Sequence, residues 1–122
     1  GRSVPKMEKT ILNSMLFDFY GELLPEKQRL CYSLQCNEDY SLTEIAEEMG
    51  ISRQAAWDYI RKAQESMLRF EEKTGLVARF SQRKKIIDEI YAHIGNVISQ
   101  KVSPEQKAEL DTVIAKLEIL SE

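Results

Sequence analysis

The stretch from Ser41 to Lys62, SLTEIAEEMGISRQAAWDYIRK, constrains this chain more than any other, because it spells two helices joined by a turn of fixed length. Ser41 followed three residues later by Glu44 is a capping box, in which the hydroxyl and the carboxylate each satisfy a backbone N–H that a helix start leaves without a partner. Leu42, Ile45, Ala46 and Met49 then share one face of the helix, while Thr43, Glu44, Glu47 and Glu48 share the other. Gly50 follows the last periodic residue, where a left-handed backbone ends a helix without a side-chain clash. Ile51 is expected to plug the turn into the core, and Ser52 to cap a second helix running on through Lys62. Ala46 keeps the first helix small where it passes the second, and Gly50 makes the corner. The pattern is a helix-turn-helix.

The outer face of the second helix is the candidate site. Ser52, Arg53, Gln54, Trp57, Asp58, Arg61 and Lys62 fall where a recognition helix presents side chains to a major groove. Arg53 can bond guanine through two N–H groups and Gln54 can do the same with adenine, whereas Arg61 and Lys62 suit backbone phosphate. Trp57 has two readings: exposed, it marks a contact; turned inward, it supplies volume that Ala56 does not. Exposure is the reading adopted. Asp58 repels phosphate, but it can accept a bond from cytosine or hold Arg61 in place.

The run from Leu24 to Lys62, LPEKQRLCYSLQCNEDYSLTEIAEEMGISRQAAWDYIRK, resembles the promoter-reading region 4 of bacterial sigma factors, a resemblance shared by many regulators. A closer one covers nearly the whole chain: LFDFYGELLPEKQR, SLTEIAEEMGISRQAAWDYIRK and FEEKTGLV at Phe70 to Val77 together resemble the YlxM-type helix-turn-helix family of bacteria. Its members are typically encoded beside genes of the signal recognition particle, so the resemblance implies a cytoplasmic, non-enzymatic, regulatory protein. Ala56 departs from the sigma-like pattern, which more often has a larger aliphatic residue there, and implies a looser local core.

Around the motif the chain reads as all-α. Leu12, Met15, Leu16, Phe19, Tyr20, Leu23 and Leu24 recur every three or four positions, predicting a core helix from Lys9 to Leu24 with Phe17 beside the stripe. Packing explains that aromatic cluster better than stacking on bases does. Pro25 suits the first turn of a helix continued by Leu30, Cys31, Leu34 and Gln35 until Asn37, Glu38 and Asp39 break the pattern. The second helix of the motif is predicted to run on through Met67 and Phe70 to Thr74, with Gly75 as its stop. A helix-turn-helix domain over residues 7–75 and a helical hairpin over 76–122 follow. Gly1 to Lys6, GRSVPK, precede the first methionine without periodicity and are read as a cloning remnant.

In the hairpin, Ile86, Ile87, Ile90, Ile94, Val97 and Ile98 form a wide apolar stripe with Tyr91 at its edge. Arg83, Lys84 and Lys85 precede it and are read as a solvated helix start, with phosphate contact the rarer alternative. Ser103, Pro104 and Gln106 announce a last helix carrying Leu110, Val113, Ile114, Leu117 and Leu120. One short partner does not cover the isoleucine stripe, so a homodimer through these helices is expected; the alternative folds the stripe back over Phe70 and Leu76.

Composition removes other classes. At 122 residues with 43% hydrophobic content the chain can bury a real core, and 30% charged residues with few prolines and glycines suit helices. No apolar run spans a membrane and no secretory segment is read, so no membrane partner is expected and the expected location is the cytoplasm. Two cysteines and one histidine make no zinc set, and no phosphate loop or nucleophile motif occurs; no metal, cofactor or catalytic residue is expected. Cys31 reads as a small buried hydrophobe and His93 as a surface or boundary residue. The net charge of −3 weakens any phosphate-driven binding, although Arg53, Arg61, Lys62 and Arg69 lie along one helix. Duplex DNA, bound weakly or in context, is the first expectation. RNA or protein of the signal recognition particle machinery is the alternative, and a helix-turn-helix that has lost recognition is a third.

Overall fold

A computed structural model of the protein describes residues 8–121; the Gly1–Lys6 stretch read as a cloning remnant lies outside the described residues. Six helices follow one another: α1 Lys9–Tyr20, α2 Glu26–Cys36, α3 Leu42–Met49, α4 Arg53–Thr74, α5 Leu76–Ile98 and α6 Pro104–Ser121, with a 3-10 turn at Gly21–Leu23. No strand occurs among the described residues, and the fold is all-α. The chain divides into two compact units, one ending at Ala78 and the other beginning at Arg79.

In the first unit α4 packs on α1, α2 and α3, so each of the three short helices has the same long partner. Leu16 and Tyr20 of α1, Tyr32 of α2 and Ala63 and Met67 of α4 are buried together with Leu24 and Val77. A second cluster, Cys31, Ile45 and Ala56, ties α2, α3 and the start of α4. Ala56 is wholly buried there, against a thiol and a branched side chain. Burial raises the Cys31 thiol above its ordinary range, as expected of a small hydrophobe in the core. His93 is exposed on α5.

The first helix stops earlier than its apolar stripe predicts. It ends at Tyr20, and the tighter 3-10 turn that follows rotates each residue further than an α-helix would, which shifts the phase of the stripe. Leu23, within that turn, is therefore 65% exposed whereas Leu24 is buried; Phe19, still inside α1, is also exposed, at 39%. Phe17 packs instead, stacking on Tyr32 with ring centroids 5.3 Å apart. A side chain at Gly21 would meet the Phe17 ring at 3.1 Å, so a larger residue there has room only if that ring gives way. Leu30 and Gln35 of α2 are likewise exposed, and Pro25 stands just before the helix, at its cap.

Between α4 and α5 the chain turns on Gly75, whose backbone is left-handed at φ 64°. The new helix starts at once because Glu71, wholly buried near the end of α4, lends its carboxylate to the N–H groups of Val77 at 2.9 Å and Ala78 at 3.0 Å. Tyr20 donates its hydroxyl to the same carboxylate at 2.6 Å. With that proton committed, the Thr74 hydroxyl donates to Tyr20 and in turn accepts from the Leu76 N–H at 3.4 Å. Burial first, and the bond to Glu71 second, raise the Tyr20 phenol above its ordinary value. Arg83, Lys84 and Lys85 consequently lie inside α5 and not at its start, a correction to the sequence reading.

The second unit is a hairpin of α5 and α6. Ser103 and Gln106 make the expected capping box, with the Ser103 N–H donating to the Gln106 side chain at 2.9 Å and the Gln106 N–H to the Ser103 hydroxyl at 3.1 Å. Ile87, Ile94 and Leu117 form its core, flanked by Tyr91, Ile98, Leu110 and Ile114. The remaining apolar residues, Ile86, Ile90, Val97, Val113 and Leu120, stay more than a third exposed.

Candidate nucleic-acid interface

The candidate site is built on the corner between α3 and α4. Ser41 accepts from the Glu44 N–H at 3.1 Å while the Glu44 carboxylate accepts from the Ser41 N–H at 3.1 Å, fixing where α3 begins. At its other end Gly50 is left-handed at φ 66°, and the Ile51 N–H reaches back to the Ala46 carbonyl at 3.0 Å, closing a Schellman turn. Ile51 is half-buried against the second cluster, as expected of a plug. Ser52 then accepts from the Ala55 N–H at 3.0 Å and sets the start of α4. Its hydroxyl thus serves the fold first.

From that start α4 turns Ala56 inward, Arg53 and Lys62 outward, and leaves Asp58 and Arg61 half-buried. Arg53, Gln54 and Lys62 are exposed, and among the described residues none of them makes an ion pair. Trp57 is 46% exposed, which settles its two readings in favour of the surface. Arg61 is held more tightly than a phosphate contact would need: its guanidinium lies 2.8 Å from Glu65, 3.7 Å from Asp58 and 5.3 Å from the centre of the Trp57 ring. Asp58 therefore does hold Arg61, and Glu65, which the sequence reading passed over, holds it closer.

Two depressions flank Trp57. One, of about 350 Å³, is lined by Leu42, Arg53, Gln54 and Trp57. The other, of about 290 Å³, reaches between Trp57 and Arg61 on α4, Lys9 and Asn13 on α1, and Tyr32 and Gln35 on α2. At its back the Tyr32 hydroxyl donates to the Gln64 side-chain oxygen at 2.9 Å, and the Gln64 amide donates to Asn13 Oδ1 at 2.9 Å. Burial raises the Tyr32 phenol far above its ordinary value, so it stays a donor at any physiological pH. Asn13 and Gln64 were missed in the sequence because each sits inside an apolar stripe, where a polar residue reads as noise. Gln64 lies seven residues after Trp57, two helical turns, and that spacing is the signal that could have found it.

With this geometry in place, comparison with known proteins is direct. Residues 7–110 match the family model described as "Putative helix-turn-helix protein, YlxM / p13 like". The chain belongs to that family. The match runs through the first unit and into α6, so the family covers both units. A UPF0122 protein of Listeria innocua is 46% identical over 87 residues, 71% of this chain and 79% of the relative. One from Halalkalibacterium halodurans is 44% identical over 84 residues, 69% and 77% of the two chains. One from Acetivibrio thermocellus is 39% identical over 116 residues, 95% of this chain and 99% of its own. Among the described residues no helix is long and apolar enough to cross a membrane, and no group of three metal-ligating side chains occurs.

Proposed function

We propose that this YlxM-family chain is a DNA-binding regulator that reads duplex DNA with the first turns of α4, weakly from one copy and more firmly from a two-fold dimer. The observation that carries the reading is the exposure of Arg53, Gln54 and Lys62 on a helix whose entry is fixed by Ser52 and Gly50. Arg53 and Gln54 supply base-edge contacts, and Lys62 supplies a phosphate contact that carries no sequence information. Selection from random duplexes at low salt tests it. Replacing Arg53 is expected to cost about 1–3 kcal/mol and to relax one base position, while replacing Lys62 weakens all sequences alike. Recovery of no enriched motif would overturn the reading.

A second reading is favoured by the acidic groups around Arg61 and by the net charge of −3, both of which oppose a phosphate-rich duplex. In it the same surface contacts protein of the signal recognition particle machinery, or its RNA, whose phosphates meet the same acidic groups. Retention of those components from a lysate by the full chain, beside the DNA selection, separates the two.

A further inference from the structure

Trp57 is ill matched to a fully paired duplex. A major groove offers base edges, to which an indole contributes one N–H donor and apolar contact with a thymine methyl, whereas its large flat face is best matched by a ring that has left the stack. Trp57 is 46% exposed here and lines two depressions, with Arg61 lying over its ring. We infer that the depression bounded by Trp57, Arg61, Asn13, Gln35 and Gln64 takes an unpaired nucleobase of a single-stranded or bulged nucleic acid. The site shares α4 with the duplex reading but does not rest on it.

Three observations converge on a neutral planar ligand with polar edges. First, the Arg61 guanidinium lies over one face of the Trp57 ring and pairs with Glu65, which also lines the depression, and with Asp58, so on that side a base meets the planar guanidinium, itself a stacking partner, with its charge offset by two carboxylates. Second, the back wall is an ordered row of amides. Tyr32 fixes the orientation of Gln64, and Gln64 fixes Asn13. Each amide nitrogen carries two N–H groups and each oxygen two lone pairs, so the row offers donors and acceptors to a base edge beyond the bonds it makes internally. Third, Lys9 stands at the margin of the depression, exposed, where the phosphate next to an inserted base would lie. An acidic or purely apolar ligand would leave this arrangement unmatched.

Trp57 is the single tryptophan of the chain, so its emission reports this site directly. The full-length protein is titrated with an oligodeoxyadenylate, an oligoriboadenylate of the same length, a strand of that length without bases, and a fully paired duplex. Saturable quenching by the base-bearing strands, at lower concentration than by the duplex, is expected, and the tighter of the two identifies the sugar the site prefers. Equal quenching by the baseless strand, or by the duplex, would overturn the proposal. In parallel, anisotropy of a labelled single strand should show affinity falling about ten-fold in Trp57→Ala and largely recovered in Trp57→Phe. The exposed Gln35→Ala should weaken the strand without altering helicity. An unchanged affinity in Trp57→Ala would also overturn it. If no duplex is bound by any variant, the duplex reading fails alone, because the single-strand arms still decide this one.

Discussion

Glu71 is the residue on which the most backbone depends. Its two oxygens accept the Tyr20 hydroxyl and the first N–H groups of α5, and its side chain is out of water altogether. A charged acceptor for a phenol and two helix-start amides stabilises more than a neutral one, and its removal leaves those donors buried without a partner. Glu71→Ala is therefore expected to lower the unfolding free energy by about 3 kcal/mol in urea titrations. Tyr20→Phe, which keeps the ring against Phe70 and removes one donor, should cost about 1 kcal/mol. Equal effects of the two changes would show that the bond to the Tyr20 hydroxyl, and not the capping of Val77 and Ala78, is what the carboxylate contributes.

At the scale of elements, two glycines make corners for different physical reasons. Gly50 has open space around a would-be side chain but a left-handed backbone, whereas Gly21 has an ordinary helical backbone and the Phe17 ring at 3.1 Å. Gly50→Ala should thus cost about 1–2 kcal/mol with Gly50→Asn costing less, because asparagine tolerates the left-handed region. Gly21→Ala should instead disturb the Phe17 stack on Tyr32, and asparagine there gives no relief. Thermal unfolding of the four variants checks the contrast.

The same distinction explains what was legible beforehand. Helix starts at Ser41, Ser52 and Ser103 and stops at Gly50 and Gly75 are local chemistry written within four residues, and the structure follows all of them. The end of α1 was not legible because the chain tightens into a 3-10 turn within a continuing apolar stripe, and the start of α5 was not because a buried carboxylate five residues before it caps the new helix. For the candidate site, the exposed face of Arg53, Gln54 and Trp57 could be read from periodicity. The tethering of Arg61 by Glu65 could not be separated from any other i,i+4 pair, and the Tyr32–Gln64–Asn13 row joins three helices that only folding brings together.

At the scale of the whole molecule the apolar surface of the second unit asks for a partner. Ile87, Tyr91, Ile94 and Ile98 face the hairpin core, while Ile86, Ile90 and Val97, one residue out of phase, make a second seam that remains exposed. A groove of about 550 Å³ runs along it, lined by Ile86, Ile87, Ile90, Leu117 and Leu120 together with Arg79, Gln82 and Arg83. Two hairpins pairing through such seams form a four-helix bundle, which supports the homodimer proposed above. Light scattering of the full chain is expected to give twice the monomer mass at micromolar concentration. Ile90→Glu should return it to monomer with helicity unchanged and weaken binding to paired half-sites about 34 Å apart more than to single ones. A monomer well above micromolar concentration would refute the dimer.

The buried carboxylate has one more consequence, for how this chain could be divided. Gly75 looks like a natural joint, yet Val77 lies in the core of the unit before it and the Glu71 oxygens are matched by amides that come after it. A fragment ending at the glycine would open a hole where valine sits and strand an anion inside the protein. Any shorter version that keeps the helix-turn-helix unit intact must carry the opening turns of the next helix with it. Insertions, fusions and recombination breakpoints should accordingly be tolerated in the loop before Pro104 long before they are tolerated at Gly75.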